Sequence, residues 1–366
     1  MKVVLVGPVY PYRGGIAHYT TMLYRALRKR GHEVLMISFK RQYPRWLFPG
    51  HSDKDPSKKP LLVEDARYWI DSLNPLSWLV TFWRICRYQP DVLVLQWWTS
   101  FWAPAWIVLG TLQRALLRRP LVYICHNVLP HEARWWDALA ARCVLRLGTR
   151  FVVQSKEERE RLQRLLPNVP IAVVPHPMYD MFAGERIPKD EARKRLGLPI
   201  ETPVLLFFGI VRKYKGLRDL LRALPSVREQ LGNVILVVAG EFWEDKEDYL
   251  RLIEDLNIAD SVFLYDRYIP NEEIPLFFSA ADVLVAPYRQ ATGSGVVELA
   301  RGLGKPVITT QKVLDSKDVP LPADSQTLAK AIVRFFTQDS PPERGDNGRP
   351  PSSWDDLVAL MTRRQA

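Results

Sequence analysis

Short, continuously apolar runs alternate along the chain with longer stretches in which apolar residues recur every three or four positions. The N-terminal run KVVLVGPV is apolar at nearly every position, which is typical of a strand buried on both faces of a parallel sheet. The next stretch, GGIAHYTTMLYRALRKRGHEV, has the spacing of an amphipathic helix that ends in Lys-Arg and a glycine. This alternation predicts an α/β fold.

The alternation of strand and helix occurs twice in succession. The first series predicts strands at KVVLVGPV, EVLMISF, PDVLVLQ, RPLVYICHN and TRFVVQS, and the second at PVLLFFGI, NVILVVAG, SVFLYD, ADVLVAPY and KPVITT. Each series predicts a Rossmann-like, doubly wound parallel sheet. We therefore expect two domains, residues 1–175 and 176–345, which suits a chain of 366 residues. Residues 346–366 are expected to form a linker and a final helix that packs back on the N-terminal domain.

Composition and cysteine usage indicate a globular protein of the cytoplasm. Hydrophobic residues make up 47% of the chain and charged residues 25%, which are ordinary globular values. Cys86, Cys125 and Cys143 lie far apart in apolar surroundings, as reduced core cysteines do. The N-terminal segment MKVVLVGP has no small-residue cleavage site, so it predicts a first strand in place of a signal peptide.

The positive charge of the chain is concentrated in its first half. The whole chain carries +11, but residues 1–180 hold 26 Lys and Arg against 13 Asp and Glu, and the remainder is nearly neutral. Such asymmetry favours an anionic partner for the first domain, although a generally basic proteome would also explain it. Nucleic acid is not the expected partner, because the sequence contains no recognised nucleic-acid module.

An aromatic run in the first half suggests what that partner is. LQWWTSFWAPAWIVL contains five aromatic residues, four of them Trp, within residues 97–106. The run is too short to span a bilayer and includes Pro104. Trp favours the headgroup level, and each Lys or Arg near an anionic leaflet contributes about 1 kcal/mol. We interpret the run and the basic segments YRALRKR and RALLRRP as a peripheral contact with the inner face of the cytoplasmic membrane. The alternative is that the tryptophans fill the core or line a cleft and that the charge is solvated.

The loops that follow the predicted strands carry the candidate chemistry, because ligands of open α/β sheets bind at the carboxyl ends of the strands. Gly14 and Gly15 follow the first strand, and a cluster of basic residues beside Gly216 follows the first strand of the second series. The segment ATGSGVVELARGLGKPVIT places bare backbone amides at a helix start, which favours a phosphate. Ordinary turns and solvated charge are the alternatives.

These motifs, taken in order, resemble the GT-B glycosyltransferases of family 4. The resemblance begins at FFGIVRKYKGL, where a strand ends in glycine and the loop after it closes in Lys-Gly before a helix. It continues through VILVVAGE, VFLYDRYIPNEEIPLFFSAADVLVAPY and GSGVVELARGLGKPVI. In the first half, the Gly-Gly loop and CHNVLPHE are similar to the family's glycine loop and its His-bearing loop. The resemblance implies two Rossmann-like domains facing a cleft. It also implies a retaining transferase that uses a nucleoside-diphosphate sugar, with UDP or GDP as the nucleotide, and no further cofactor.

The resemblance also implies roles for individual residues. Lys215, with Arg212, would neutralise the diphosphate, and Glu298 would accept hydrogen bonds from the ribose hydroxyls. His126 would line the reaction centre, although a lone histidine is more often structural. The implied donor-binding residues are Gly14, Gly15, Arg212, Lys215, Thr292, Gly293, Ser294, Gly295, Val296 and Glu298. Candidates for contact with the acceptor are His131, Glu132 and His18, and both His18 and His176 are expected in loops on the cleft side.

The sequence departs from the family pattern at two positions. The first Glu of the signature is Gln290 here, and Gln can hydrogen-bond a sugar but carries no charge. The Arg that usually follows the strand glycine is Ile210, so Arg212 would take over its role. The acidic residues at 53–55 suggest solvated charge, and we expect metal-independent chemistry. The expected acceptor is a lipid-linked or cell-envelope glycan. A sugar phosphorylase, an epimerase and a non-catalytic homologue that binds sugar nucleotides are the alternatives.

Overall fold

The structure is a computed structural model that describes residues 1–130, 133–182, 184, 187–289, 294–309, 324–338 and 353–363. The described residues divide into two compact units. The first unit contains the described residues of Met1–Asp55, Pro60–Pro177 and Ser352–Ala366, and the second those of Pro56–Lys59 and Met178–Pro351.

The first unit is built on a parallel sheet of seven strands in the order β3-β2-β1-β4-β5-β6-β7. The strands are β1 (Lys2–Val6), β2 (Glu33–Arg41), β3 (Arg67–Asp71), β4 (Val92–Trp97), β5 (Leu121–Cys125), β6 (Arg150–Val153) and β7 (Ile171–Val173). Its helices are α1 (Gly15–Lys29), α2 (Pro75–Tyr88), α3 (Ala103–Leu112), α4 (Trp135–Leu145) and α5 (Lys156–Leu165). A π-helical turn, Gln113–Leu117, extends α3.

Helices cover both faces of this sheet. Apolar side chains of α2, α3, α4 and α5 pack on one face, and those of α1 pack on the other. The last described helix of the chain (Trp354–Thr362) also belongs to this unit, because Leu357, Val358 and Met361 pack into the core beside α1. The central strands β4 and β5 are buried at every position, which explains their continuous apolar runs.

The aromatic run fills the core of the first unit. Trp97, Trp102 and Trp106 are at most 1% exposed, and Trp102 and Trp106 stack on each other. The indole N–H of Trp106 donates to the carbonyl of Gln96 at 2.8 Å. The interpretation that these tryptophans meet the headgroups is therefore wrong: Trp97 lies on the central strand β4, and Trp102 at the N-cap of α3 and Trp106 within α3 pack into the core. The first unit also holds the three cysteines, each with a free thiol.

The second unit is built on a parallel sheet of five strands in the order β10-β9-β8-β11-β12. The strands are β8 (Val204–Phe208), β9 (Ile235–Ala239), β10 (Val262–Tyr265), β11 (Val283–Ala286) and β12 (Val307–Thr309). The helices are α6 (Lys189–Arg195), α7 (Leu217–Leu231), α8 (Lys246–Asp255), α9 (Ile274–Ala280), α10 (Gly295–Gly302) and α11 (Ser325–Thr337), and the helix Trp354–Thr362 of the first unit is α12. The prediction of two parallel-sheet α/β domains is confirmed.

A buried arginine fixes α6 in the second unit. Arg193 is 1% exposed, and its guanidinium donates to Asp282 at 2.8 Å and to the carbonyl of Ala280 at 3.0 Å. Asp282 also accepts from the backbone N–H of Val204 at 2.7 Å and pairs with Lys189. Since a buried charge is stable only when it is paired and hydrogen-bonded, this cluster ties α6 to the start of β8 and β11.

Candidate active site

In the second unit, two glycines allow the loop after β8 to pass close to neighbouring backbone. Gly209 and Gly216 have φ angles of +96° and +76°, where other residues are strained. A Cβ atom on Gly216 would lie 2.0 Å from the carbonyl oxygen of Pro287, directly after β11. The loop 209–216 therefore lies against the end of β11, as expected when both strands end at the same edge of a sheet.

Lys215 projects from this loop onto Tyr288. Its Nζ donates to the Tyr288 hydroxyl at 3.1 Å and lies 4.4 Å from the ring centroid. Burial disfavours the charged amine, but the contacts with Tyr288 and Tyr214 outweigh it and raise the pKa of Lys215. The side chain is thus held in one place as a cation at neutral pH.

Ser294 connects the same tyrosine to the start of α10. Its hydroxyl donates to the Tyr288 hydroxyl at 3.1 Å and accepts from the backbone N–H of Val297 at 3.3 Å, which caps the helix. The cation of Lys215 and the N-terminus of α10, with its partial positive charge, therefore meet at one tyrosine. This arrangement suits an anionic group.

An arginine anchors the backbone just before residues 290–293. Arg289 donates to both carboxylate oxygens of Asp219 at 2.7 and 2.6 Å, and its own N–H donates to the carbonyl of Tyr214 at 2.8 Å. Asp219 is buried in the first turn of α7. The bidentate pair raises the pKa of Arg289 and joins the end of β11 to α7. The backbone hydrogen bond to Tyr214 joins the same strand end to the loop that carries Lys215.

Arg212 lies beside an aromatic ring at the same edge of the sheet. Its guanidinium is 4.9 Å from the ring centroid of Trp243, and the indole N–H of Trp243 donates to Glu241 at 3.0 Å. Glu241 is buried where β9 ends, in the VAGE segment. Arg212 was predicted from the sequence, whereas Trp243 and Glu241 were not, although a Glu directly after a buried strand is a usable signal.

Glu298 lies in the first turn of α10 and pairs with Arg301, Nη1 to Oε1, at 2.7 Å. Val296, also in this turn, approaches Gly209, where an added Cβ would be 3.3 Å from its methyl group. Gly295 is the first residue of the helix. The predicted site residues Gln290, Thr292, Gly293, His131 and Glu132 lie outside the described residues.

In the first unit, the glycine loop leads into α1. Gly14 is the N-cap residue with φ +103°, and Gly15 begins the helix. Within the described residues, a Cβ atom added to either glycine would have no other atom within 4 Å. The backbone at these two glycines is therefore not covered by side chains on that side.

His126, directly after β5, is hydrogen-bonded through both ring nitrogens. Nε2 lies 2.7 Å from Oε1 of Gln96, and Nδ1 lies 3.2 Å from Nε2 of Gln154. The amide nitrogen of Gln96 donates to Thr20 at 2.6 Å, so its Oε1 is the acceptor for His126. These bonds select the neutral tautomer with the proton on Nε2. Burial and the nearby His176 lower the pKa of His126 to about 3.

Two buried side chains that were not predicted from the sequence hold the ring of His126 and the backbone after it. Gln96 is completely buried, and a Cβ atom on Gly7 would lie 2.4 Å from its amide nitrogen. The buried Glu158 accepts from the backbone N–H of Val128, two residues after the histidine. A polar residue that closes an apolar strand, as in PDVLVLQ, was the only sequence signal for Gln96.

The remaining histidine candidates lie close to this network. His176 donates from Nδ1 to the carbonyl of Pro177 at 2.7 Å, and burial lowers its pKa to about 4. Tyr19 of α1 packs edge-on against His126 and His176, with centroid distances of 4.7 and 5.2 Å. His18 is half-buried in the first turn of α1. Within the part of the chain that the structure describes, no three His, Cys, Asp or Glu side chains gather to hold a metal ion.

Two family models match consecutive parts of the chain. Residues 14–177 match the model described as a glycosyl transferase 4-like domain, and residues 188–331 match that of the glycosyl transferases group 1. The boundary between the two matches lies close to the boundary between the two units.

Two curated relatives support the assignment. D-inositol 3-phosphate glycosyltransferase 1 of Catenulispora acidiphila is 30% identical over 174 residues, which cover 45% of this chain and 41% of the relative. The GDP-mannose-dependent alpha-(1-6)-phosphatidylinositol monomannoside mannosyltransferase of Mycolicibacterium smegmatis is 27% identical over 84% of this chain and 81% of the relative. The chain thus spans less than half the length of the first relative and about four fifths of the second.

Solved structures share the fold of the whole chain. Sucrose-phosphate synthase of Thermosynechococcus elongatus superposes with a TM-score of 0.72 at 19% identity, covering 98% of this chain and 97% of that one. The Anabaena protein HepE in complex with UDP-glucose gives 0.68 at 17% identity, covering 99% and 95%. At these identities the likeness shows the fold alone. With both family models matched in order, the chain belongs to the group 1 glycosyltransferases of the GT-B fold.

Proposed function

We propose that this chain transfers a sugar, with retention of anomeric configuration, from a nucleoside-diphosphate sugar to a lipid-linked or cell-envelope glycan. The observation that carries the proposal is the meeting of Lys215, Tyr288 and the Ser294-capped start of α10 at the carboxyl ends of β8 and β11. A fixed cation beside a helix N-terminus suits the diphosphate of such a donor.

The transfer step explains why a diphosphate needs these groups. The bond between the anomeric carbon and the phosphate oxygen breaks, and the leaving nucleoside diphosphate gains negative charge. Lys215 and the N-terminal amides of α10 stabilise that charge where it develops. The acceptor oxygen bonds to the anomeric carbon on the same face, and its proton passes to a phosphate oxygen of the donor. Gln290 carries no charge, which agrees with a route that forms no covalent enzyme intermediate.

Neutral His126 has a defined part in this scheme. Because the pKa of its imidazole is about 3, it does not act as a proton donor in the imidazolium form at neutral pH. Its two hydrogen bonds fix the ring at the end of β5. The role that we propose for it, contact with the transferred sugar, follows from the family resemblance. Turnover should therefore depend on His126 more strongly than nucleotide affinity does.

We take the donors and the acceptor to be tested from those named for similar proteins. The solved Anabaena protein binds UDP-glucose, and the mycobacterial relative is named for GDP-mannose and for a phosphatidylinositol mannoside. UDP- and GDP-sugars are accordingly the donors to test, and a lipid-linked glycan taken at the inner face of the cytoplasmic membrane is the proposed acceptor. No cofactor other than the donor is proposed.

Isothermal titration calorimetry with UDP and GDP tests the donor site. Lys215→Ala should weaken the preferred nucleotide about 10- to 100-fold, since a charged hydrogen bond contributes about 1.5–3 kcal/mol. Glu298→Gln should weaken it less, through the ribose. The matched control is Lys213→Ala, which removes an exposed lysine from the same loop. Unchanged affinity in both site variants would contradict the assignment.

The products separate the alternative activities. An NMR spectrum of the product should show the anomer of the donor, and an inverted anomer would contradict retention. A phosphorylase would need inorganic phosphate to cleave a disaccharide. Donor hydrolysis without acceptor would distinguish an enzyme from a protein that only binds sugar nucleotides.

A further inference from the structure

Exposed apolar side chains are concentrated on three neighbouring helices of the first unit. Helix α3 packs against both α2 and α4, so the outer surfaces of the three are continuous. Leu76 on α2 is 69% exposed, Leu116 in the turn after α3 67%, and Trp135 on α4 76%. We call the outer surface of α2, α3 with its π-helical turn, and α4 the α2–α4 face.

Helix α2 shows how unusual this surface is. Trp78, Phe82 and Ile85 are buried against the sheet, as a helix on an α/β sheet requires. The outward stripe is apolar as well, because Leu76, Leu79, Val80 and Trp83 recur at helical spacing and are each 47% exposed or more. Surface helices of globular proteins are normally polar on this side.

The charges on the same face have one sign. Residues 75–88, 103–119 and 134–146 contain eight arginines and a single acidic residue, Asp137. Asp137 is buried and accepts hydrogen bonds from Ser100 and from the backbone N–H of Arg134. The exposed face therefore presents guanidinium groups among leucine and tryptophan side chains.

Three of the arginines lie against exposed or half-buried indoles, and one of them is Arg134, 5.0 Å from the ring centroid of Trp136. Arg87 lies 3.7 Å above the ring centroid of Trp83, and Arg84 lies 4.6 Å above that of Trp69. This pairing places cations beside amphipathic rings, the combination that suits the headgroup level of a bilayer.

We propose that the α2–α4 face docks on an anionic lipid surface, with its leucines and tryptophans in the headgroup region and its arginines on the lipid phosphates. Helix α2 has 14 residues and is therefore about 21 Å long, so it lies along the interface and does not span the bilayer. Among the described helices, none is long and apolar enough to cross a membrane.

Charge complementarity selects this partner over two others. A second copy docked on the same face would bring arginines against arginines, with no exposed acidic residue on these helices to offset them. Nucleic acid would satisfy the arginines but leave the exposed leucines without an apolar environment. An anionic bilayer satisfies both.

The inference deepens the proposed function, on which it rests for the lipid-linked acceptor, and it has a test of its own. The full chain is sedimented with vesicles of phosphatidylcholine alone or with phosphatidylglycerol. One variant, Arg84→Gln/Arg87→Gln, removes two charges from the α2–α4 face, and a second, Leu76→Gln/Leu79→Gln, removes its apolar stripe. The matched control, Arg25→Gln/Lys29→Gln, removes the same two charges from exposed positions of α1, which covers the other face of the sheet.

We expect sedimentation with anionic vesicles only, fading at high salt. At about 1 kcal/mol for each arginine, the arginine variant should bind roughly 30-fold more weakly, and the leucine variant should also lose binding. The α1 control should bind like the wild type. Failure to sediment at low salt, an equal loss in the control, or a leucine variant that binds normally would each overturn the inference.

Two further readouts separate the competing explanations. Concentration-dependent dimerisation that the leucine variant abolishes, without vesicle binding, would assign the face to a second copy and overturn the inference. Binding of duplex DNA in place of vesicles would do the same. All variants are also titrated with UDP and GDP, because unchanged nucleotide affinity in a variant that no longer sediments supports docking as a separate property. Vesicle binding without any nucleotide binding would contradict the proposed function alone.

Discussion

The hydrogen bonds of His126 predict how the stability of the first unit depends on pH. The folded-state pKa is about 3, against 6.5 for an unperturbed histidine. Between these values the unfolded chain binds a proton that the folded chain does not. The histidine therefore contributes its full stabilisation above pH 6.5 and loses it progressively as the pH falls toward 3.

The magnitude follows from the unfolded state. At pH 5 an unfolded histidine is almost fully protonated, whereas folded His126 stays neutral, so lowering the pH from 7 to 5 should cost about 2 kcal/mol. His176, with a pKa of about 4, should add a similar loss. The variant His126→Asn should lose only the contribution of His176. It should also be less stable than the wild type at pH 7 by about 1–3 kcal/mol, because Gln96 loses its 2.7 Å partner.

Urea unfolding at pH 7 and pH 5, followed by tryptophan fluorescence, measures this effect. Eleven of the twelve tryptophans belong to the first unit, so the signal reports on the unit that contains His126. The control His51→Asn replaces an exposed histidine and should follow the wild type. If His126→Asn and the wild type lost the same free energy of unfolding between the two pH values, the assignment of a neutral His126 in the folded state would be refuted.

Two predictions concern the second unit, and differential scanning calorimetry measures both. Asp282→Asn leaves the buried guanidinium of Arg193 without its carboxylate and should cost about 3–5 kcal/mol of unfolding free energy; a loss below 1 kcal/mol would contradict the pairing. Gly216→Ala should destabilise the unit more than Gly197→Ala, because their φ angles of +76° and +66° are similar but only Gly216 lies against the Pro287 carbonyl. Equal losses of unfolding free energy in the two variants would contradict the predicted clash with the carbonyl of Pro287.

The order of strands and helices was predictable because most strands are buried on both faces. All ten strands predicted from continuous apolar runs are present. The two missed strands are edges: β3 (Arg67–Asp71) pairs only with β2 and is exposed at its first two positions, and β7 (Ile171–Val173) has three residues, none of them fully buried. Edge strands need no continuous apolar run, so the sequence pattern can miss them, although it did predict β10 and β12, the edge strands of the second sheet.

The positions of the site loops were predictable, but the partners of their side chains were not. The rule that ligands bind at the carboxyl ends of parallel strands pointed to Lys215 and Ser294 from the sequence. Both side chains hydrogen-bond the hydroxyl of Tyr288. This shared contact forms only because the loop after β8 lies against the end of β11, which the sequence does not show. The pairing of Gln96 with His126 likewise depends on the register of β4 and β5, where Trp97 lies opposite Cys125. Local sequence does not specify such a register.

The composition of the aromatic run did not predict which side chains form the exposed apolar surface of the first unit. Four tryptophans in ten residues and a net basic domain suggested a membrane contact, but α3 turns Trp102 and Trp106 into the core. The apolar surface instead comes from α2, whose sequence PLSWLVTFWRICRY is apolar around most of its circumference. A helix on a sheet can bury only one stripe, so a second apolar stripe must face outward. The placement of that stripe among arginines, which only the packed structure reveals, is what favours an anionic lipid partner for the first unit.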